Sequence, residues 1–204
     1  MPVLLQPKAP YASDAILVGD PGRALLLAQE LLEQPKMCNH ARGLWGYVGL
    51  TTAGHELTIQ ATGIGAPSAA AALADLAELG VRRAVRVGTA TALGERDRLG
   101  DLLLVAEAEA TEGSATAFGV GIGEAVAPDP MLLDRLAQAV AGEARAVRIV
   151  SVDTVPDPRA SAGGAAAADM QTLSILARGR ALGVAGLEDA AKRAGRAASA
   201  ALSP

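Results

Sequence analysis

The stretch AVRVGTATAL, residues 84–93, decides how the chain folds. It starts with residues typical of a buried strand in a parallel sheet, and Gly88 then begins a turn of small and hydroxyl residues. Arg86 stands in the middle of this strand, although an arginine is almost never fully buried without a partner. The first question that the sequence raises is therefore what Arg86 pairs with.

Strand and helix patterns alternate on both sides of this stretch, which is typical of a sheet covered by helices on both faces. Helix caps support the pattern: Asp20 and Asp129 each precede a proline at a helix start, and Gly80 ends a helix. Strands are predicted over residues 15–19, 47–53, 56–63, 84–88, 101–108, 146–153 and 181–187, and helices over 20–33, 66–80, 129–144, 165–180 and 188–202.

Two kinds of partner for Arg86 are open from the sequence. In open α/β sheets, ligands bind beyond the carboxyl ends of the strands. The segment GDPGR, residues 19–23, follows one such end and combines a glycine turn, a helix N-terminus and Arg23, which together attract anions. Arg86 pairs either with an anion held there, such as phosphate, or with a carboxylate such as Asp20 or Asp101.

The composition narrows the class of protein. The length predicts a single domain over residues 1–204. Only 2% of the residues are aromatic and the net charge is −4, so nucleic acid is not an expected partner. No apolar run reaches the roughly 18–20 residues of a membrane span, so we expect a cytoplasmic protein with no membrane partner. With Cys38 alone, and His40 and His55 at no metal-ligand spacing, neither a metal nor a cofactor is expected.

Five short segments follow one another along the chain. They are GDPGR (19–23), ARGLWGYVG (41–49), ATGIGAPSAA (61–70), VRRAVRVGTATAL (81–93) and SVDTV (151–155). In this order they resemble the signature segments of the purine nucleoside phosphorylase and uridine phosphorylase family, over about residues 14–190. The resemblance implies an α/β three-layer sandwich, with a twisted mixed sheet flanked by helices. It also implies phosphorolysis, in which phosphate attacks the anomeric carbon of a nucleoside and the base leaves.

The resemblance implies a phosphate site with inorganic phosphate as co-substrate. The matching positions in this chain are Gly19, Arg23, Arg42, Arg86 and Thr89. Three guanidinium groups around one dianion would orient its attacking oxygen while positive charge develops on the sugar. In the family, the arginine that matches Arg42 reaches the phosphate of a neighbouring subunit, which implies self-association from a dimer up to a hexamer.

The resemblance also implies a nucleoside site at Val155, Asp169, Met170 and Gln171. The family has a Glu-Met-Glu segment on a helix, whose methionine and second glutamate hold the ribose hydroxyls. Gln171 replaces that glutamate with a neutral amide, and Val155 replaces an aromatic ring that lies over the base. We therefore expect weaker contacts to the sugar and to the base than in the family.

Asp189 is the candidate general acid, and Arg193 is the residue that would assist it. A Ser-Asp pair in the purine-specific bacterial members aligns with Glu188-Asp189, and its aspartate protonates the departing purine. The chain is shorter than family members by a loop between Asp189 and Arg193 that closes over the base. The alternative is that Glu188 and Asp189 open the last helix, where acidic side chains favour the helix dipole.

The expected activity is phosphorolysis of a nucleoside, with a purine favoured over a pyrimidine. One alternative is a catalytically weakened or inactive family member that still binds phosphate or a nucleoside-like ligand. Another is a hydrolytic nucleosidase, which is disfavoured because water needs no set of three arginines. The segment GVGIGE, residues 119–124, resembles a dinucleotide turn but lacks the flanking strand and helix, so it is interpreted as a loop.

Overall fold

The computed structural model describes residues 2–111, 113–140, 142–154, 163–189 and 198–202, with the backbone alone over 185–189. The strands are β1 (Asp14–Val18), β2 (Glu33–Asn39), β3 (Gly46–Leu50), β4 (Glu56–Ala61), β5 (Arg83–Val87), β6 (Thr91–Ala92), β7 (Leu102–Ala110), β8 (Ala125–Val126), β9 (Ala144–Ser151), β10 (Ala167–Asp169) and β11 (Ala185–Asp189). The helices are α1 (Pro21–Leu31), α2 (Ala66–Glu78), α3 (Pro130–Ala139) and α4 (Thr172–Leu182), and 3-10 helices cover Ala41–Gly43 and Gly113–Phe118.

The strands form two mixed sheets. The first has the order β11-β5-β1-β4-β3-β2, and its four strands β11, β5, β1 and β4 are parallel while β3 and β2 continue it antiparallel. The second has the order β6-β10-β9-β7-β8, with β10, β9 and β7 parallel and a short antiparallel strand at each edge. The two sheets meet where β7 contacts β11.

Alternating side chains of β1 show the three layers of the first sheet. Ile16 and Val18 face one side, where they pack in one core with residues of α1 and α3. Ala15 and Leu17 face the other side and pack with residues of α2 and α4. Because successive residues of a strand point to opposite faces, a fully buried strand of this kind needs helices on both sides.

The structure corrects three of the predicted elements. The helix predicted over 165–180 is wrong at its start, because Ala167–Asp169 form strand β10 and the helix begins only at Thr172. Edge strand β2 is absent from the prediction, since its polar residues Glu33–Asn39 show no apolar alternation. The helix predicted over 188–202 is wrong at its first two residues, because Glu188 and Asp189 end strand β11.

A buried carboxylate on α2 binds the backbone of the N-terminal segment. Asp75 is only 4% exposed, and its side chain accepts hydrogen bonds from the backbone N–H groups of Val3 (2.8 Å), Leu4 (2.6 Å) and Leu5 (2.9 Å). The carboxylate replaces its lost hydration with three N–H donors, which is what burial of a charge requires.

Replacing Asp75 with alanine should destabilise the fold, although Asp75 is not part of either sheet. Hydrogen bonds to a charged group contribute about 1.5–3 kcal/mol each, and part of that returns when the N–H groups meet water. We expect Asp75→Ala to lower the free energy of unfolding by about 3 kcal/mol in urea denaturation. Asp134→Ala, at an exposed position of α3, should change it by less than about 0.5 kcal/mol. Equal unfolding midpoints for the two variants would contradict this role of Asp75.

Candidate functional site

A cleft of about 790 Å³ opens at the carboxyl ends of β1, β4, β5 and β10. This is the edge at which ligands bind in sheets of this kind. Its walls come from five separate stretches of the chain: Gly19, Asp20, Pro21 and Arg23; Arg42, Gly43 and Leu44; Gly63, Ile64 and Gly65; Arg86, Gly88, Thr89, Ala90 and Thr91; and Ala168, Asp169, Met170 and Gln171.

Three helices point their N-termini at this cleft. Asp20, Gly65 and Gln171 are the N-cap residues of α1, α2 and α4, and all three line the cleft. Asp20 caps α1 by accepting a hydrogen bond of 2.8 Å from the Arg23 N–H, whereas the Gly65 cap of α2 has no side chain to do so. The partial positive charge of each helix N-terminus makes the cleft a favourable place for an anion.

Arg86 pairs with the carboxylate of Asp169, whereas neither Asp20 nor Asp101 forms an ion pair with it within the described part of the chain. Nη1 of Arg86 lies 3.2 Å from Oδ2 of Asp169, and both side chains are almost completely buried. Burial lowers the pKa of the Arg86 guanidinium, the Asp169 carboxylate raises that pKa, and nearby Arg23 lowers it. Arg86 nevertheless lines the cleft, so its carboxylate partner leaves room for a ligand beside it.

Asp169 is held in place by groups from three directions. Oδ1 accepts a hydrogen bond of 2.8 Å from the Ser151 hydroxyl at the end of β9. The carboxylate also accepts from the backbone N–H groups of Gln171 (3.0 Å) and Thr172 (3.0 Å) at the start of α4. The buried negative charge therefore has both a helix N-terminus and a guanidinium to balance it.

Gln171 lies on the other side of the Arg86 guanidinium. Its Oε1 accepts hydrogen bonds from Nε (3.1 Å) and Nη2 (3.0 Å) of Arg86. Its Nε2 donates to the backbone carbonyls of Gly63 (2.7 Å) and Gly65 (3.3 Å). One amide thus connects the arginine of β5 with the glycine turn that follows β4.

Arg23 and Arg42 stand at the rim of the cleft. Within the part of the chain that the structure describes, neither guanidinium group makes a hydrogen bond or an ion pair. Arg42 is exposed, and its backbone adopts the left-handed conformation with φ of 56° and ψ of 20°, which is uncommon for residues with a side chain. These two unneutralised cations face the cleft together with the three helix N-termini.

Two buried amides hold the turn that carries Arg42. Nδ2 of Asn39 donates to the carbonyl of Leu44 at 2.5 Å, and Nε2 of Gln60 donates to the same carbonyl at 2.8 Å. Both amide side chains are fully buried. The loop is therefore anchored to β2 and β4, and the strained residue is supported by its surroundings.

Gly88 allows the Arg86 guanidinium to lie against the backbone. A Cβ atom at position 88 would lie 2.7 Å from Cζ of Arg86 and would also collide with Nη1. A side chain at position 88 fits only if the guanidinium moves away from this backbone. Position 88 thus favours glycine because the guanidinium lies so close to the backbone. A positive φ is not the reason, since Gly88 does not have one.

The structure brings most of the residues predicted from the sequence into one cleft. Those that line it are Gly19, Arg23, Arg42, Arg86, Thr89, Asp169, Met170 and Gln171. Their roles toward phosphate and nucleoside stay predictions. Asp169 and Gln171 do not lie on a helix as expected, because Asp169 ends a strand and Gln171 precedes α4.

The remaining predicted residues are described in part or not at all. Asp189 ends β11, where its backbone pairs in register with Val87, so it lies at the cleft end of the first sheet. Val155 and Arg193 lie outside the described residues.

Gly63 and Gly65 are cleft residues that were not assigned to the site from the sequence. Both have positive φ, 77° and 83°, and both accept hydrogen bonds from Gln171 through their carbonyls. The signal in the sequence is the G-x-G pattern at residues 63–65, between a predicted strand and a predicted helix and within the segment ATGIGAPSAA. Ile64 between them is 84% exposed and offers an apolar surface at the cleft.

The described residues contain no group of three or more His, Cys, Asp or Glu side chains arranged to hold a metal ion. No helix in the described ranges combines the length and the apolar character that crossing a membrane requires.

Comparison with known proteins finds a match to the phosphorylase superfamily over residues 13–188. Purine nucleoside phosphorylase DeoD-type from Limosilactobacillus reuteri (strain DSM 20016) is 36% identical over 127 residues, which are 61% of this chain and 53% of the relative. The protein of the same name from Lactococcus lactis subsp. cremoris (strain MG1363) is 38% identical over 98 residues, 48% of this chain and 42% of the relative. The chain spans about half the length of the curated relatives it matches.

A solved structure shares the fold. It is the purine nucleoside phosphorylase of Toxoplasma gondii in complex with immucillin-H, with a TM-score of 0.81 at 22% identity, covering 89% of this chain and 76% of that one. The α/β sandwich with a mixed sheet flanked by helices, predicted from the sequence, is confirmed, with the difference that the strands form two hydrogen-bonded sheets.

The contact between Gly88 and Arg86 can be tested through stability alone. Gly88→Ala forces the guanidinium away from Asp169 and Gln171, and overpacking of this kind costs about 1–3 kcal/mol. We expect a loss in that range in urea denaturation. Gly94→Ala is the matched control, because an added Cβ there meets nothing within 4 Å. Equal stability of the two variants would show that Arg86 can move without cost.

Proposed function

Because the chain belongs to the phosphorylase superfamily, we propose that it is a nucleoside phosphorylase. The reaction is phosphate-dependent cleavage of the N-glycosidic bond of a purine nucleoside, which yields the free base and ribose 1-phosphate. The resemblance noted in the sequence motifs is confirmed at the level of the family.

The observation that carries the proposal is the convergence of positive charge on one cleft. Arg23 and Arg42 face it without a carboxylate partner among the described residues, and the N-termini of α1, α2 and α4 open onto it. The chain as a whole has a net charge of −4, so this local excess of positive charge stands out against the rest. A phosphate dianion matches both the charge and the donors.

Phosphate in this position would act as nucleophile and as electrostatic partner of the sugar. Cleavage of a glycosidic bond passes through a transition state with oxocarbenium character. We propose that Gly19, Arg23, Arg42, Arg86 and Thr89 bind and orient the dianion, so that one oxygen faces the anomeric carbon. Orientation and charge stabilisation by preorganised groups are the two contributions that such a site supplies.

The nucleoside would occupy the remainder of the cleft. Met170 and the exposed Ile64 line this part, and the register of β11 puts Asp189 at the same end of the sheet. We propose Asp189 as the general acid for the departing base, Arg193 as the residue that assists it and Val155 as a residue of the base site. A carboxyl group in this role needs a pKa raised by its surroundings.

We also propose that the protein works as a homo-oligomer, from a dimer up to a hexamer. The reason is the resemblance of the segment around Arg42 to one that reaches a neighbouring subunit. Light scattering at micromolar concentration should give a mass at least twice that of one chain, and a monomer would contradict the proposal.

A panel of nucleosides tests the activity directly. Inosine, guanosine, adenosine and uridine are incubated with and without inorganic phosphate, and free base and ribose 1-phosphate are detected by chromatography. We expect release of base from the purine nucleosides only when phosphate is present. Release without phosphate would identify a hydrolytic nucleosidase, and phosphate binding without turnover would identify an inactive family member.

Arg23 and Arg42, which have no carboxylate partner among the described residues, should determine how efficiently the enzyme uses phosphate. A lost hydrogen bond between charged groups costs about 1.5–3 kcal/mol, so Arg23→Ala and Arg42→Ala should each lower kcat/KM for phosphate by about 10- to 100-fold. Arg82→Ala removes the same charge at the opposite end of β5, outside the cleft, and should leave kcat/KM within about twofold. If all three variants behave alike, the cleft does not bind phosphate through these residues.

A further inference from the structure

We infer that Gln171 is a positioning residue, which holds the Arg86 guanidinium and the glycine turn at Gly63–Gly65 in a fixed relation and does not itself bind the sugar. The inference rests on the proposed function of the cleft. It differs from the role that the resemblance implies for position 171.

The hydrogen bonds of Gln171 are all used within the protein. A glutamine amide has two donor protons and one carbonyl oxygen with two lone pairs. Oε1 accepts from Nε and Nη2 of Arg86, and Nε2 donates to the carbonyls of Gly63 and Gly65. With the side chain saturated, a sugar hydroxyl could bind to it only by displacing one of these partners.

The burial of Gln171 agrees with a structural task. The residue is 3% exposed, although it borders the cleft. Gly19 packs against the same group, since a Cβ there would lie 3.4 Å from the Gly63 carbonyl and 3.7 Å from Oε1 of Gln171. The guanidinium of β5 and the glycine turn after β4 thus meet at one amide, with the end of β1 close to it.

The charge of the neighbouring groups explains why a neutral amide suits position 171. Asp169 already balances the charge of Arg86 at 3.2 Å. A second carboxylate would make this buried cluster negative next to a site for an anion. Nε2 of Gln171 now donates a hydrogen bond of 2.7 Å to the Gly63 carbonyl. A glutamate would put a second acceptor oxygen opposite that carbonyl, and the two oxygens would repel each other.

Sugar binding by Gln171 and positioning of Arg86 by Gln171 predict opposite effects of the Gln171→Glu substitution on the kinetics. If position 171 bound the sugar, a carboxylate would bind its hydroxyls more strongly than an amide and would raise kcat/KM for the nucleoside. For a residue that positions Arg86, the same change loses the bonds to the glycine turn and repels phosphate. We therefore expect the KM for phosphate to rise at least about 10-fold in Gln171→Glu, equivalent to about 1.4 kcal/mol.

The second readout is the preference between two sugars. Gln171→Glu and Gln171→Leu should both raise the KM for phosphate, while the ratio of kcat/KM for inosine to that for 2′-deoxyinosine stays within about twofold of the parent. Thr58→Val is the matched control: it removes a buried hydrogen bond of 2.9 Å to the Ala12 N–H, at the end of β4 away from the cleft. Its phosphate KM should be unchanged.

Three results would overturn the inference. They are a rise in nucleoside kcat/KM for Gln171→Glu, a changed sugar ratio with an unchanged phosphate KM, or an effect of Thr58→Val equal to that of the Gln171 variants. If the parent protein releases no base, the proposed function fails separately, and a crystal structure of Gln171→Leu decides the inference. Arg86 should then be displaced from its position, and an unmoved guanidinium would overturn the positioning role.

Discussion

The buried ion pair between Arg86 and Asp169 is the interaction on which the site depends. Arg86 belongs to β5 of the first sheet and Asp169 ends β10 of the second, so the pair joins the two sheets at the edge where the cleft opens. Breaking one partner of a buried pair costs about 3–5 kcal/mol, because the other charge is left without compensation. Replacing either residue would therefore affect the fold as well as the cleft.

The surrounding structure satisfies the other bonding positions of this pair. The hydroxyl of Ser151, two N–H groups at the start of α4 and the amide of Gln171 surround it. Gly88 has no side chain, and this leaves the space in which the guanidinium lies. A polar network of this kind is rigid when every member is satisfied, and rigidity is what a site for an oriented anion requires.

Two kinds of arginine meet at the cleft and differ in their surroundings. Arg86 is buried and paired with a carboxylate where it borders the cleft. Arg23 and Arg42 belong to loops and helix starts, and their charge has no carboxylate partner in the described part of the chain. The charge available to a ligand therefore comes chiefly from the rim and from the helix N-termini.

The sequence by itself determined the order of the main elements, the helix caps and the strand ends that carry the site. These are local properties: an apolar run such as residues 15–18, or a cap such as Asp20 before Pro21, depends on neighbours within a few residues. The family resemblance rested on the same short segments. The polar strand β2 was missed because nothing in its own composition distinguishes it from a loop.

Only the tertiary structure decided what Arg86 pairs with and what Gln171 does. The partners Asp169 and Gln171 lie 83 and 85 residues away from Arg86 along the chain. Asp169 ends β10 in the second sheet, and only the packing of the two sheets brings it next to β5 of the first. The sequence predicts a helix from residue 165, yet Ala167–Asp169 pair with β9 and, through Ala167 and Ala168, with β6, so Asp169 ends a strand and the helix starts only after Gln171. Long-range pairing overrode local propensity here, since a buried charge and an open strand edge are satisfied only by groups that the fold brings together.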